Sequence, residues 1–274
     1  LWRADNLDPW GTPIVLPGSG VQVLSQAGAR GELIAAASNA DAPVDLFDPR
    51  RLAPRGVTPR VADAADGPGA PFRHARVLAA LDPSGATLAT TDFEVRTSVE
   101  GSTKRTTSFG HVTLHDLAGA APEQRLTALA GDQFAALRFT HRGARLVVAD
   151  AGGKLTAWDV AARQWTSLGT LPRRGHEISL GATAEGELLA AVRAADGLWI
   201  GREAEGFAEM KVLGDAKPAA VAFDGEGRRV ALARCTQETR PGMCSRGTID
   251  IHDIAAGGPA RQRLAVGFEP RQLV

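Results

Sequence analysis

Short apolar runs separated by polar turns recur along this chain in one register. Five glycines close such turns, and each is followed three positions later by an aliphatic residue; the pairs are Gly31 and Ile34, Gly85 and Leu88, Gly143 and Leu146, Gly186 and Leu189, and Gly227 and Val230. In the third unit, the runs 136–139, 146–149 and 155–159 have the length and spacing of β-strands. Strand repeats of about 40 residues predict small sheets that bury their faces by stacking on one another.

A second signature appears later in four of the five units, where a hydrophobic residue or a histidine precedes an aspartate. The four pairs are Phe47-Asp48, His115-Asp116, Trp158-Asp159 and His252-Asp253. With this pair, the segment 134–168 resembles a complete WD40 repeat, and the shared register extends the resemblance over the chain in a degenerate, bacterial form. The resemblance implies an all-β fold, namely a β-propeller of four-stranded blades.

The register divides the chain into five full units with a partial blade at each end. The expected units are 1–19 (partial), 20–71, 72–131, 132–174, 175–215, 216–266 and 267–274 (partial). A propeller must close into a ring to hide the edges of its sheets. We therefore expect the chain to be part of a longer one that completes a ring, with seven blades as the preferred total.

The resemblance also assigns structural roles to individual residues. In WD40 repeats a histidine, a Ser or Thr and a turn aspartate form hydrogen bonds with the tryptophan of the third strand. The residues that match parts of this pattern are Asp150, Trp158, Asp159, His176 and Asp196. No unit keeps the whole network. In the fourth unit Gly201 and Arg202 replace Trp-Asp.

Histidines are the obvious candidates for metal chemistry, and their spacing argues against it. His111 and His115 would share one face of a strand at a separation of about 13 Å, which is too far to bind one ion. His115 and His252 also occupy the tryptophan position of their units. We interpret both as structural and predict no metal or other cofactor.

Two units are longer than the others between the glycine and the aspartate position, which predicts long loops between the second and third strands. These are segments 96–109 and 235–247, and a third insertion covers 62–72. In WD40 blades such loops open on one rim, where added length is common at functional sites. The cationic binding candidates on this rim are Arg96, Lys104, Arg105, Arg173, Arg174, Arg240 and Arg246. A solvated surface of mixed charge is the alternative interpretation.

The amino-acid composition argues against some classes of binding partner and does not determine the cellular compartment. The 31 basic and 31 acidic residues balance, so no global field favours nucleic acid, and no apolar run is long enough to predict a membrane helix. We expect a cytoplasmic protein. The two cysteines, Cys235 and Cys244, lie in one predicted loop, and a disulfide between them would instead indicate a periplasmic or secreted protein.

The sequence predicts a non-catalytic module that binds a protein or peptide, or senses a ligand for an effector domain in the same chain. The absence of tyrosine argues against a sialidase-type propeller, and there is no Gly-x-Ser-x-Gly nucleophile elbow. Two alternatives stay open: a stand-alone secreted or periplasmic propeller that binds a small ligand, and a lactonase-type or other hydrolase propeller.

Overall fold

A computed structural model of the chain shows an all-β protein. It describes residues 22–27, 33–37, 45–48, 53–57, 72–73, 78–100, 103–119, 121–130, 133–173, 177–194, 197–208, 210–212, 220–224, 226–240, 243–255 and 260–266. These residues form 22 β-strands and two short 3₁₀ turns, at His141–Gly143 and Glu203–Glu205. The chain divides into two compact units, Leu1–Gly131 and Asp132–Val274. No helix among the described residues is long and apolar enough to cross a membrane.

The unit Leu1–Gly131 contains two sheets. The first is an antiparallel meander of β1 (Gln22–Ala27), β2 (Leu33–Ala37), β3 (Asp45–Asp48) and β4 (Ala53–Val57). The second consists of β5 (Phe72–Arg73), β6 (Ala79–Leu81), β7 (Thr87–Glu100), β8 (Thr103–Asp116), β9 (Gln124–Arg125) and β10 (Leu129–Ala130). In this sheet β7 and β8 form a long hairpin, β5 and β6 pair with β7, and β9 and β10 pair with β8.

The unit Asp132–Val274 contains three four-stranded antiparallel meanders. The first is β11 (Phe134–Thr140), β12 (Arg145–Asp150), β13 (Lys154–Asp159) and β14 (Gln164–Thr170). The second is β15 (Glu177–Ala182), β16 (Leu188–Ala194), β17 (Gly197–Arg202) and β18 (Lys211–Val212). The third is β19 (Ala220–Phe223), β20 (Arg229–Arg240), β21 (Met243–Asp253) and β22 (Gln262–Val266).

The predicted all-β class is confirmed. Four of the five described sheets have the predicted four strands, whereas the sheet of the second repeat unit has six. The repeat register has a clear structural meaning. In each sheet the aliphatic residue three positions after the glycine is the second residue of a strand, namely β2, β7, β12, β16 or β20. In four sheets this residue pairs across the ladder with the tryptophan position; the pairs are Ile34 with Phe47, Leu88 with His115, Leu146 with Trp158, and Val230 with His252. The repeat therefore marks where this strand starts and, in those four sheets, how it pairs with the strand that follows it.

Within the unit Asp132–Val274, consecutive sheets pack through apolar faces. The first strands follow one another, with β11 against β15 and β15 against β19. Gly181 of β15 allows the closest approach, because a Cβ there would lie 2.5 Å from Cγ of Phe223 in β19. At Gly201, which replaces tryptophan in the fourth repeat, a Cβ would meet Cγ of Met210 at 2.9 Å. The neighbouring sheet face and a nearby side chain thus occupy the space that a larger residue would need.

The prediction of long loops at 96–109 and 235–247 is wrong, because both segments continue the strands. Strand β7 pairs with β8 up to Glu100 and Thr103, and β20 pairs with β21 up to Arg240 and Met243. Two residues connect each hairpin, Gly101-Ser102 in one and Pro241-Gly242 in the other. Threonine, valine and phenylalanine, which favour extended backbone, are frequent in the first hairpin. Of the third insertion, residues 62–71 lie outside the described residues.

Candidate functional site

The most prominent features available for binding are the two extended hairpins. We name 96–107 the first arm and 235–247 the second arm. In the first arm Arg96 pairs with Thr107, Ser98 with Arg105, and Val99 with Lys104. The short strands β5 and β10 pair with the hairpin only at its base, around 94–95 and 109–110. Among the described strands, β7 and β8 beyond Arg96 and Thr107 therefore pair only with each other.

The second arm carries Arg240, which pairs with Met243, and the exposed Arg246, which pairs with Gln237. Two side chain to backbone hydrogen bonds reinforce its ladder: Thr236 Oγ1 donates to the Arg246 carbonyl at 3.1 Å, and Ser245 Oγ donates to the Gln237 carbonyl at 3.1 Å. Strand β22 pairs with β21 only from Gly247 to Ile251. The second arm thus also extends beyond its sheet.

The predicted disulfide between Cys235 and Cys244 can be described at Cys235 only. Cys235 is exposed, pairs across the ladder with Gly247 and is disulfide-bonded. The side chain of Cys244 lies outside the described side chains, so its pairing with Cys235 stays a prediction. The cellular compartment, which was inferred from the state of these cysteines, also stays a prediction.

Of the remaining rim candidates, the structure describes Arg173. The guanidinium of Arg173 stacks on the ring of Trp199, with Cζ 3.9 Å from the ring centroid. Arg173 follows β14, and Trp199 lies in β17 of the next sheet. Such a cation–π contact stabilises the position of the cation by roughly 0.5–1 kcal/mol at an exposed site. Arg174, together with the structural candidates His176 and Asp196, lies outside the described residues.

Asp150 and Asp159, two of the aspartates that match the repeat pattern, stabilise turns through hydrogen bonds with backbone N–H groups. Asp150 Oδ1 accepts a hydrogen bond from the Lys154 N–H at 2.9 Å, which closes the tight turn between β12 and β13. Asp159 Oδ1 accepts from the Ala162 N–H at 2.7 Å, at the turn between β13 and β14. Aspartate is suited to both places because its short carboxylate reaches backbone N–H groups a few residues ahead.

Trp158 is buried and packs against a second tryptophan. Its ring meets that of Trp165, the directly opposite residue in β14, at a centroid distance of 5.2 Å and an interplanar angle of 62°. Edge-to-face pairs of this kind add roughly 0.5–1.5 kcal/mol to the burial of the rings. The two residues join the third and fourth strands of the sheet.

A buried polar relay occupies the corresponding place in the sheet of β5–β10. His115 Nε2 lies 2.8 Å from Thr90 Oγ1, and its Nδ1 lies 3.0 Å from Glu123 Oε1. Hydroxyl, imidazole and carboxylate in this order also form the relay of nucleophilic hydrolases. Here, however, Thr90 is only 7% exposed. Its hydrogen bond with His115 therefore links β7 to β8 and does not present a nucleophile to a substrate.

An ion pair lies beside the relay. Asp92 of β7 is buried and forms an ion pair with Arg125 of β9, with Oδ2 of Asp92 3.2 Å from Nη2 of Arg125. Across the ladder Asp92 pairs with His111, which is also buried. Spacing predicted that His111 and His115 cannot share an ion, and among the described residues no group of three or more His, Cys, Asp or Glu side chains could hold a metal.

A cluster of charged side chains surrounds Asp250 of β21. Its side chain is 1% exposed and lies 2.6 Å from Arg263 Nε and 3.3 Å from Arg234 Nε. The hydrogen bonds from Arg263 outweigh the effect of burial and hold the pKa of Asp250 below its usual value, while the carboxylate raises the pKa of Arg263. This cluster is not predicted from the sequence, because its cations come from the neighbouring strands β20 and β22.

Comparisons with known proteins bear on the fold only. No protein-family model matches the chain, and no curated protein matches it. Many solved structures are similar. One is titled Kuenenia stuttgartiensis Hydrazine Synthase: it has a TM-score of 0.53 and 15% sequence identity, and the match covers 95% of this chain and 69% of that chain. At this identity the likeness concerns the backbone and carries no chemistry to this chain.

Proposed function

We propose that the chain is a non-catalytic binding module of the WD40-like β-propeller type, and that its first arm binds an extended acidic segment of a protein or peptide. The observation that carries this proposal is the excess length of the hairpin. Strands β7 and β8 have 14 residues each, whereas β12 and β13 have 6 each. The additional residues are not needed to complete a four-stranded sheet.

The backbone and the charge of the first arm favour such a partner. Strand edges without a neighbour can accept a further strand through main-chain hydrogen bonds. An isolated two-stranded hairpin is only marginally stable in water, so an added strand would also stabilise the arm. Segment 96–107 contains three cationic residues, Arg96, Lys104 and Arg105, against the single acidic residue Glu100. This excess favours a carboxylate-rich segment over a basic one.

A matched pair of triple variants tests the proposal. The first is Arg96→Gln, Lys104→Gln and Arg105→Gln; the control is Arg142→Gln, Arg163→Gln and Arg229→Gln, which removes the same charge from exposed sites elsewhere. Binding to an array of 15-residue acidic and neutral peptides is measured for both. We expect the first variant to lose about tenfold or more in affinity for acidic peptides and the control to keep it. Equal binding by both variants, or no preference for acidic peptides, would contradict the proposal.

One observation favours a second candidate, the stand-alone secreted or periplasmic module. The disulfide at Cys235 is the kind of bond that persists in oxidising compartments. Mass spectrometry of the protein from its source, alkylated before and after reduction, distinguishes the two candidates. Cysteines that react only after reduction support the extracytoplasmic module, whereas free thiols support the cytoplasmic one.

A further inference from the structure

The two strands of the first arm differ in the charges along their outer edges. On β7, Arg96 and Glu100 are separated only by uncharged residues. On β8, the segment 103–107 contains Lys104 and Arg105 and no acidic residue. A partner of the β7 edge therefore needs a charge of each sign, whereas the β8 edge suits the acidic segment proposed above.

The register of the hairpin determines which residues of the β7 edge can pair with a further strand. Glu100 and Thr103 flank the two connecting residues, so they exchange backbone hydrogen bonds with each other, and such pairs alternate with pairs that do not. The backbone N–H and C=O groups of Thr97 and Val99 consequently point away from β8. Val95, the next residue in this series, pairs with β5. Among the described strands, none pairs with β7 beyond Arg96 on this side.

A second copy of the same edge fits these backbone groups in one antiparallel register. A two-fold axis at Ser98 places Thr97 of each copy opposite Val99 of the other, and both pairs can exchange their backbone hydrogen bonds. With the axis at Thr97, Val99 would lie opposite Val95, which already pairs with β5. With the axis at Val99, Thr97 would lie opposite Gly101 of the connection. An axis between two residues would set outward-pointing groups against inward-pointing ones.

The same register makes the charges of the two copies complementary. Arg96 of each copy lies opposite Glu100 of the other, and opposite charges at directly opposed positions stabilise antiparallel strands. The β8 edge does not have this property. Its outward-pointing backbone groups belong to Lys104 and Thr106, and the equivalent register would place Arg105 opposite itself, where like charges are destabilising.

We propose that the chain self-associates through the first arm, with the β7 edge of one copy pairing antiparallel to the β7 edge of a second copy. This interaction goes beyond the binding of an acidic segment and does not rest on it, because that segment suits the β8 edge. The paired segment, 96–100, is short, so the dimer is a weak one, with a dissociation constant on the order of 100 μM.

Two variants with reversed charges test this register. Arg96→Glu leaves two acidic residues on the edge and Glu100→Arg leaves two basic ones, so each variant alone would place like charges opposite each other. We expect each to dimerise at least about tenfold more weakly than wild type in sedimentation equilibrium. An equimolar mixture of the two should associate as wild type does, because every opposed pair is then Glu with Arg. A single chain with both changes should self-associate for the same reason.

Two control variants separate this dimer from other effects of charge. Arg229→Glu changes an exposed arginine of β20 and should dimerise as wild type does. The double variant Lys104→Gln and Arg105→Gln changes only the β8 edge, so it should lose affinity for acidic peptides and keep the dimer. Failure of one proposal is thereby distinguished from failure of the other.

Three outcomes would overturn the proposed dimer. The first is a wild type that stays monomeric up to about 0.5 mM, which is well above the expected dissociation constant. The second is an Arg96→Glu variant that associates as strongly as wild type. The third is a mixture of the two single variants that associates no more strongly than either variant alone. Recovery in the mixture, in contrast, also shows that both variants are folded.

Discussion

Replacing the buried carboxylate of Asp250 with an amide provides a direct test of the electrostatics of β19–β22. In Asp250→Asn the shape is kept and the charge is lost. Arg263, bound at 2.6 Å, and Arg234, at 3.3 Å, then lose their counter-ion. Removing one partner of a fully buried ion pair costs about 3–5 kcal/mol.

The exposure of the two arginines reduces that figure. The side chain of Arg263 is 64% exposed and that of Arg234 is 25% exposed, so water can solvate much of the released charge. We therefore expect Asp250→Asn to lower the free energy of unfolding by about 2–3 kcal/mol at pH 7, below the fully buried range. The matched control is Asp253→Asn in the same strand, whose arginine partner Arg261 is 3.8 Å away and exposed. This change should cost less than about 1 kcal/mol.

The pH dependence gives the second half of the test. The folded-state pKa of Asp250 is lowered, so its contribution is complete above the unfolded-state pKa of about 3.9 and is lost as the pH falls towards the folded-state pKa. Urea unfolding of wild type and variant should thus show a constant difference from pH 7 down to about pH 5 and a shrinking one below about pH 4. A difference below about 0.5 kcal/mol at pH 7, or one that does not shrink in acid, would refute this reasoning.

Two other predictions concern packing and pairing between sheets. Gly181→Ala should destabilise the protein by about 1–3 kcal/mol, because its Cβ would lie 2.5 Å from Phe223 Cγ; adding Phe223→Leu should recover part of this loss in urea unfolding, and no recovery would place the strain elsewhere. Arg145 of β12 binds Glu203 through two nitrogens, at 2.9 and 2.5 Å. A double-mutant cycle with Arg145→Met and Glu203→Gln should give a coupling energy of about 1–2 kcal/mol, and additive effects would show that the pair contributes nothing.

The sequence predicted the features that recur at a fixed spacing and missed those that depend on chain-distant partners. The glycine and the aliphatic residue three positions later located the second strands, because turn chemistry and strand periodicity act locally. The arms were misread as loops because Ser, Thr and charged residues dominate 96–108, although the dipeptide Gly101-Ser102 between alternating residues was a usable hairpin signal. Arg145 and Glu203, which form an ion pair, are 58 positions apart in the sequence. No local sequence pattern predicts a pair so far apart.

Two of the sheets contain an ion pair between an arginine and a buried aspartate, but the aspartate lies on a different strand in each sheet. In β5–β10, Arg125 of β9 lies opposite Thr113 and reaches Asp92 of β7. In β19–β22, Arg263 of β22 lies opposite Asp250 of β21 and binds it directly.

The sequence register makes Thr113 and Asp250 equivalent, since each stands two residues before the histidine in the tryptophan position. It likewise aligns Asp92 with Arg234. What the two sheets share is therefore an arginine, in the strand that follows the hairpin β7–β8 or β20–β21, that forms an ion pair with a buried carboxylate. The carboxylate itself does not stand at one fixed position of the repeat. Because β9 pairs with β8 through only two residues, such an anchor holds a short strand that backbone hydrogen bonds alone would hold weakly.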